Sequence, residues 1–400
     1  MKRKLSPSAT TAILLGTICS VCYLAVYFAR NILSTVTPQM IESGLFDEIR
    51  IGDLSSVFFL TYAIGQLING LIGDKIKAKY MICLGLVLAG TCNLAFSLFS
   101  ANWTAAYIAY ALTGFFLSMI YAPMSKLVTE NTEPLHAVRC SIAYGFASYF
   151  GSPVAGVAAA LVSWQGAFGA ASGSLVAIGV IGFVLFTAME KQGQIRYGQF
   201  QPPKEKGGGV KLLLKRQIVT FTLVAILTGV VRTTVVFWMP TYFVQYLHFT
   251  EEQSALIFTV ATLAICANSF LAVFLYEKLF RQNTNLATMV YFVVAAAAFA
   301  AMIVVREPIG NIVLMILAIL AANCASTILW SCYCISLRDT GLVSGATGFL
   351  DFASYMAASV ASTAFANALP SIGWSGLVVS WFVLMAIGAV VTVPYRRRKA

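Results

Sequence analysis

Apolar residues gather along the chain in runs of about twenty, each closed by a short polar turn, and about twelve such runs succeed one another. They lie near 11–35, 54–73, 80–99, 103–126, 140–162, 166–189, 218–242, 254–276, 286–305, 309–336, 345–368 and 374–394. Twenty apolar residues at 1.5 Å rise span the hydrocarbon of a bilayer, so the pattern predicts an all-α membrane protein with twelve transmembrane helices. The connections are short except at 190–216, a polar stretch holding Pro202–Pro203 and Gly207–Gly209, which reads as a linker. The expected organisation is a six-helix bundle over 1–189, a cytoplasmic linker over 190–216 and a second six-helix bundle over 217–400. The basic, then apolar start imitates a signal peptide. Its apolar run continues into Arg30 without a small-residue cleavage site, so a retained first helix is expected.

Composition agrees with this pattern. The chain is 59% hydrophobic and only 10% charged over 400 residues, which excludes a soluble globule, where about a quarter of residues are charged. With an even number of spans, 22 of the 26 basic residues fall on the side that holds both termini and two, Arg50 and Arg306, on the other. That split predicts cytoplasmic termini in a multi-pass protein of a bacterial inner membrane. The net charge of +11 is therefore a topology signal, and nucleic acid is not expected as a partner. The nine cysteines lie in or beside apolar segments without ligand spacing and read as small core residues. No phosphate-binding loop, nucleophile triad or metal constellation is present, so no enzyme activity, cofactor or metal is expected.

The remaining two basic residues are Arg30 and Arg232, each inside an apolar run and each followed eight residues later by proline, Pro38 and Pro240. An arginine at membrane depth costs about 2.5–3.5 kcal/mol on insertion scales. The offset between the two is 202 residues; Asp74–Lys75 repeats as Glu277–Lys278, and Phe146-Ala-Ser-Tyr149 as Phe352-Ala-Ser-Tyr355, at offsets up to 206. Three matches in the same order predict two parallel, pseudo-symmetric halves with a ligand at midplane between them. A guanidinium is permanently charged and forks onto two oxygens of a phosphate or carboxylate. The alternative, that each arginine pairs with a carboxylate or snorkels, has one embedded acid, Asp351, to serve both.

The stretch Gly70-Leu-Ile-Gly-Asp74-Lys75-Ile-Lys-Ala-Lys79 resembles the signature loop of the major facilitator superfamily, G-x-x-x-D-[KR]-x-x-x-[KR]. Within it, Tyr27-Phe-Ala-Arg30-Asn31, Ala63 to Gly70, Val231–Arg232 with Trp238 to Tyr242, and Gly345 to Gly348 with Gly373–Trp374 resemble the organophosphate:phosphate antiporters, relatives of the glycerol-3-phosphate and hexose-phosphate transporters. The resemblance implies that Arg30 and Arg232 hold a substrate phosphate. It also marks departures: Ser148 stands where glycerol-phosphate members carry histidine, and Gln66 where they carry lysine.

The expected substrate-binding set is Arg30, Arg232, Tyr27, Asn31, Gln66, Tyr121, Ser148, Asp351 and Tyr355. Helical spacing brings Tyr23, Tyr27, Asn31 and Ser34 to the side of Arg30. Asp351 can clamp Arg232, meet substrate hydroxyls or carry a coupling proton. Asp74, Lys75 and Lys79, with Glu277 and Lys278 at the matching place, are the expected gate, pairing with helix ends while the cytoplasmic side is shut. The expected function is secondary active transport of a small organic anion, a phosphorylated metabolite exchanged for inorganic phosphate, by a monomer in the lipid bilayer. Proton-coupled symport of carboxylates such as sugar acids, and a membrane sensor of sugar phosphates, are the competing readings.

Overall fold

The computed structural model of the protein describes residues 7–46, 48–200, 208–249, 251–266 and 268–394. Among them every regular element is helical: α1 (Pro7–Glu42), α2 (Glu48–Gly73), α3 (Ala78–Leu98), α4 (Trp103–Leu117), α5 (Tyr121–Asn131), α6 (Pro134–Tyr149), α7 (Gly151–Leu161), α8 (Trp164–Lys191), α9 (Gly208–Lys215), α10 (Ile218–Gln245), α11 (Glu251–Cys266), α12 (Asn268–Lys278), α13 (Thr284–Val304), α14 (Pro308–Ile328), α15 (Cys334–Ser336) and α16 (Val343–Val391). These make twelve passes, because several expected spans are helices broken within the membrane. Pro123 and Pro153 each stand at the third position of a helix, α5 and α7, where a missing N–H breaks no internal bond, so the preceding helix ends just before each. A wider turn over Leu329–Tyr333 joins α14 to α15. Runs 345–368 and 374–394, expected as two spans, are two helices within α16 that meet at the non-helical Gly373 (φ 65°, ψ −179°). A side chain would strain that backbone, and glycine does not. Nine stretches among the described residues are long and apolar enough to cross a membrane unbroken.

Contacts divide the chain into two units, 1–216 with 334–352 and 217–333 with 353–400. In the first, α1 packs on α6, α7 and α8, α3 on α4 and α8, and α2 on α4. Apolar helices in lipid gain little from burial against one another, so polar ties count for more. Asn69 donates to Ser118 Oγ (2.8 Å), Asn93 to Ser172 Oγ (3.0 Å), Thr61 to the Ala111 carbonyl (2.7 Å) and Gln39 to that of Ala159 (2.6 Å). In the second unit α14 packs on α10, α12 and α13. There Tyr242 donates to Asn311 Oδ1 (2.7 Å), Tyr291 to the Ala272 carbonyl (2.9 Å) and Trp381 to Thr234 Oγ1 (3.1 Å). Large apolar side chains such as Leu161, Val304 and Val390 remain more than 70% exposed. An apolar exterior of that kind fits a chain bathed in lipid rather than water.

Candidate functional site

Arg30 sits in the middle of α1, half-buried, with its guanidinium carbon 5.2 Å from the ring centroids of Tyr27, Phe59 and Tyr62. Tyr27 comes from the preceding turn of α1; Phe59 and Tyr62 lie one turn apart on α2. Ring faces attract the cation electrostatically and hold it in place while its N–H edges keep their directional donors. The surface behind this cage is aromatic too. Tyr23 meets Tyr27 edge-on (5.0 Å), stacks on Tyr121 (5.3 Å) and touches Tyr144 (5.9 Å). Backbone fixes the cage from the other side: a Cβ at Gly151, the first residue of α7, would fall 2.6 Å from the Tyr27 carbonyl carbon, so only glycine lets α7 come this close.

The structure places the other expected residues unevenly. Gln66 is fully buried on α2, one turn beyond Tyr62, and both atoms of its amide lack a hydrogen-bond partner. A buried polar group left unmet costs about 1–3 kcal/mol, and such a position suits water or a ligand. Asn31 is half-buried and its side chain makes no hydrogen bond among the described residues. Ser148 is buried but turned inward, donating to the Gly145 carbonyl of its own helix (2.6 Å). Asp351 on α16 is 8% exposed and lies within electrostatic range of Tyr121. In the second unit Arg232 is half-buried on α10 and Tyr355 half-buried on α16.

The best-defined polar geometry surrounds Asp74. Its carboxylate accepts from the backbone N–H groups of Ser344 (3.0 Å) and Gly345 (2.7 Å), the first turn of α16. Those amides have no partner inside their own helix and carry the positive end of its dipole, so a carboxylate is their natural acceptor. Lys126 Nζ lies 3.7 Å from Asp74 Oδ1 and 3.9 Å from Glu130, and donates to the Asp74 carbonyl (2.7 Å). Burial pushes the Asp74 carboxyl up to about 6, against the downward pull of Lys126 and the two amides. Backbones touch beside it: a Cβ at Gly348 would fall 2.8 Å from Gly70 Cα and against the Gln66 carbonyl oxygen. Of the other expected gate residues, Lys79 binds Glu190 (2.6 Å) together with Lys77 (2.8 Å), and Lys75 is exposed. Glu277 and Lys278 make no ion pair among the described residues.

The segment after α8 lies over this cluster. Asn131 Oδ1 accepts from Arg196 N (2.7 Å) and Gln199 Nε2 (3.0 Å), and Glu130 Oε2 accepts from Gly198 N (3.1 Å). A polar cavity of about 200 Å³ remains between Asp74, Lys126, Glu130 and Tyr197.

Residues 19–359 match the family model described as Major Facilitator Superfamily. The chain belongs to that superfamily. This major facilitator is 22% identical to the "Membrane sensor protein UhpC" of Escherichia coli (strain K12), over 93% of this chain and 89% of that one. It is 24% identical to the "Phosphoglycerate transporter protein" of Salmonella typhimurium, over 88% and 82%. These relatives bear out the expected resemblance to the organophosphate branch. The solved transporter FucP, in its outward conformation, shares the fold with a TM-score of 0.72 at 13% identity, over 96% of this chain and all of that one. The twelve-helix facilitator fold and the multi-pass membrane setting follow, and the chain sits among membrane carriers rather than enzymes. Phe59, Tyr62 and Tyr144 were not among the expected site residues. Phe59, Tyr62 and Gln66 recur at helical spacing on one face of α2, a signal hidden because two of the three read as ordinary core.

Proposed function

We propose that this major facilitator is a secondary active transporter of the bacterial inner membrane that moves a small phosphorylated metabolite in exchange for inorganic phosphate by alternating access. The observation that carries this reading is the Arg30 guanidinium set among three aromatic faces within a membrane-spanning helix. Such a cage orients a fixed cation, and a phosphate supplies the oxygens its fork is built to meet. The sequence repeat gives Arg232 the same part in the second half. Tyr27, Asn31, Gln66 and Tyr121 are assigned the organic portion of the substrate, together with Asp351 and Tyr355 from α16.

In this mechanism bound oxyanion neutralises the arginines and lowers the cost of rearrangement, while the empty protein resists it. The Asp74 contact with the start of α16 holds the cytoplasmic side shut and must part on opening, with Lys126 retaining the acid. The test uses proteoliposomes loaded with phosphate and offered a panel of sugar phosphates and organic acids. Arg30→Lys and Arg232→Lys are each expected to abolish uptake while surface expression is kept. Normal transport by either variant rules the site out. Uptake that depends on pH and needs no internal phosphate selects proton-coupled carboxylate symport, with Asp351 as the proton carrier.

A second reading, a membrane sensor of sugar phosphates, is favoured by the likeness to a protein named as a sensor over nearly the whole chain. Binding of a sugar phosphate without measurable flux selects it.

A further inference from the structure

An opening lies away from the arginines, along the seam between α1 and α6. It measures about 550 Å³ and runs from Ala9 and His136 at the start of the two helices to Leu24 and Ala147, a length of about 22 Å at 1.5 Å per residue. Its floor is made where the helices touch: Cys140 Sγ donates to the Ala12 carbonyl (3.2 Å), and a Cβ at Gly16 would fall 3.0 Å from that sulfur.

The walls are hydrocarbon in character. The lining hydroxyls are turned away from any occupant, Thr17 donating to the Ile13 carbonyl (2.8 Å) and Ser20 to that of Gly16 (2.7 Å). The rest of the lining is alanine, glycine, isoleucine, leucine and valine, apart from Cys140 and one end. At that end stand Arg139, exposed, and His136, whose Nδ1 is buried without a hydrogen-bond partner. Of the basic residues of this unit, Lys77 and Lys79 share Glu190, and Lys126 lies between Asp74 and Glu130. Arg139 makes no ion pair or hydrogen bond among the described residues.

We infer that this groove is a binding site for an anionic phospholipid, with one acyl chain along α1 and α6 and the phosphate at Arg139 and His136. Charge complementarity selects the occupant: a dry apolar trough inside the bilayer, opening at one end onto a cation and an unmet imidazole nitrogen, matches a molecule that is hydrocarbon below and anionic above. α1 and α6 both begin on the side to which most basic residues are assigned, where anionic headgroups and cationic side chains attract. A free phosphate satisfies the cationic end and leaves the trough empty; a zwitterionic lipid fills the trough and gains little at Arg139. The inference is independent of the transported substrate.

The full chain, delipidated in a neutral detergent, is titrated with phosphatidylglycerol, phosphatidylcholine or inorganic phosphate and read by native mass spectrometry and thermal melting. Phosphatidylglycerol is expected to bind about five-fold more tightly than phosphatidylcholine, the factor for one cation at an anionic headgroup. Arg139→Gln is expected to erase that preference, and Ala143→Phe to weaken both lipids by filling the trough. Both residues are exposed, so melting without lipid should match the parent and separates loss of the site from loss of the fold. Equal binding of the two lipids by the parent, phosphatidylglycerol binding unaltered by Ala143→Phe, or the same melting shift from inorganic phosphate alone overturns the inference.

Discussion

Replacing Gly348 by alanine tests the contact between α2 and the start of α16 more cleanly than removing a charge. The added carbon would lie 2.8 Å from Gly70 Cα, where ordinary contact is 3.4–4 Å. Backbone atoms cannot swing aside as a side chain does, so the helices must separate by at least about 0.6 Å. Asp74 accepts from Gly345 at 2.7 Å and Ser344 at 3.0 Å, and the same displacement takes the longer bond beyond useful range. Overpacking of this kind costs about 1–3 kcal/mol, which depopulates the engaged arrangement by about five- to 150-fold. Hydrogen exchange of a peptide covering residues 343–348 should quicken by that factor in Gly348→Ala, and uptake should fall. Gly145→Ala, where an added Cβ meets nothing within 4 Å, is the control. Parental exchange and parental uptake in Gly348→Ala would refute the reasoning, because two backbones in contact cannot both stay put.

Three further outcomes are expected. Since burial raises Asp74 to about 6 when engaged, and solvent returns it to the ordinary value of 3.8, the engaged form binds the extra proton; engagement should strengthen as pH falls through 6 and level off below about 4, gaining about ten-fold between pH 7 and 5. Exchange at 343–348, corrected for its intrinsic pH dependence, measures this, and Asp74→Asn should abolish the trend. Asn131→Ala removes the acceptor for Arg196 N and Gln199 Nε2, about 1–2 kcal/mol for two exposed bonds, and should speed proteolysis near 195–200 several-fold. Glu190→Gln leaves Lys79, 6% exposed at its side chain, without its carboxylate; a loss of about 1–3 kcal/mol should appear as a lower melting temperature, and an unchanged one would mean that Thr187, 3.2 Å from Lys79 Nζ, suffices.

The spans were legible because hydrocarbon demands length and apolarity together, and few other constraints act so uniformly along a chain. Breaks inside spans were less so. Pro123 and Pro153 are visible in the sequence, but a proline near the start of a helix and one in a kink look alike until the flanking turns are placed. Arg30 announced itself by cost, an arginine where arginines are expensive, whereas its cage did not, because Phe59 and Tyr62 are what any buried helix contains. The signature loop identified Asp74 but not its partners. Two backbone amides, 270 residues further along for Ser344, have no residue type to betray them. Lys126 was counted only as a topological charge, and its place between two acids follows from how α5 turns after the break at Ser118–Ile120.

One lysine serving two acids makes a balance rather than a bond. Lys126 Nζ stands 3.7 Å from Asp74 and 3.9 Å from Glu130, and neither distance is a close contact. Asp74 faces the first turn of α16; Glu130 grips the segment after α8 through Gly198. Lys126 also donates to the Asp74 backbone carbonyl (2.7 Å), so its ammonium stays moored beside Asp74 while its charge is shared with Glu130, and loss of either acid leaves that charge to the other. Under the proposed gate, the segment after α8 and the start of α16 answer to the same lysine, and a tether that chain connectivity alone would explain acquires a vote in when that catch lets go.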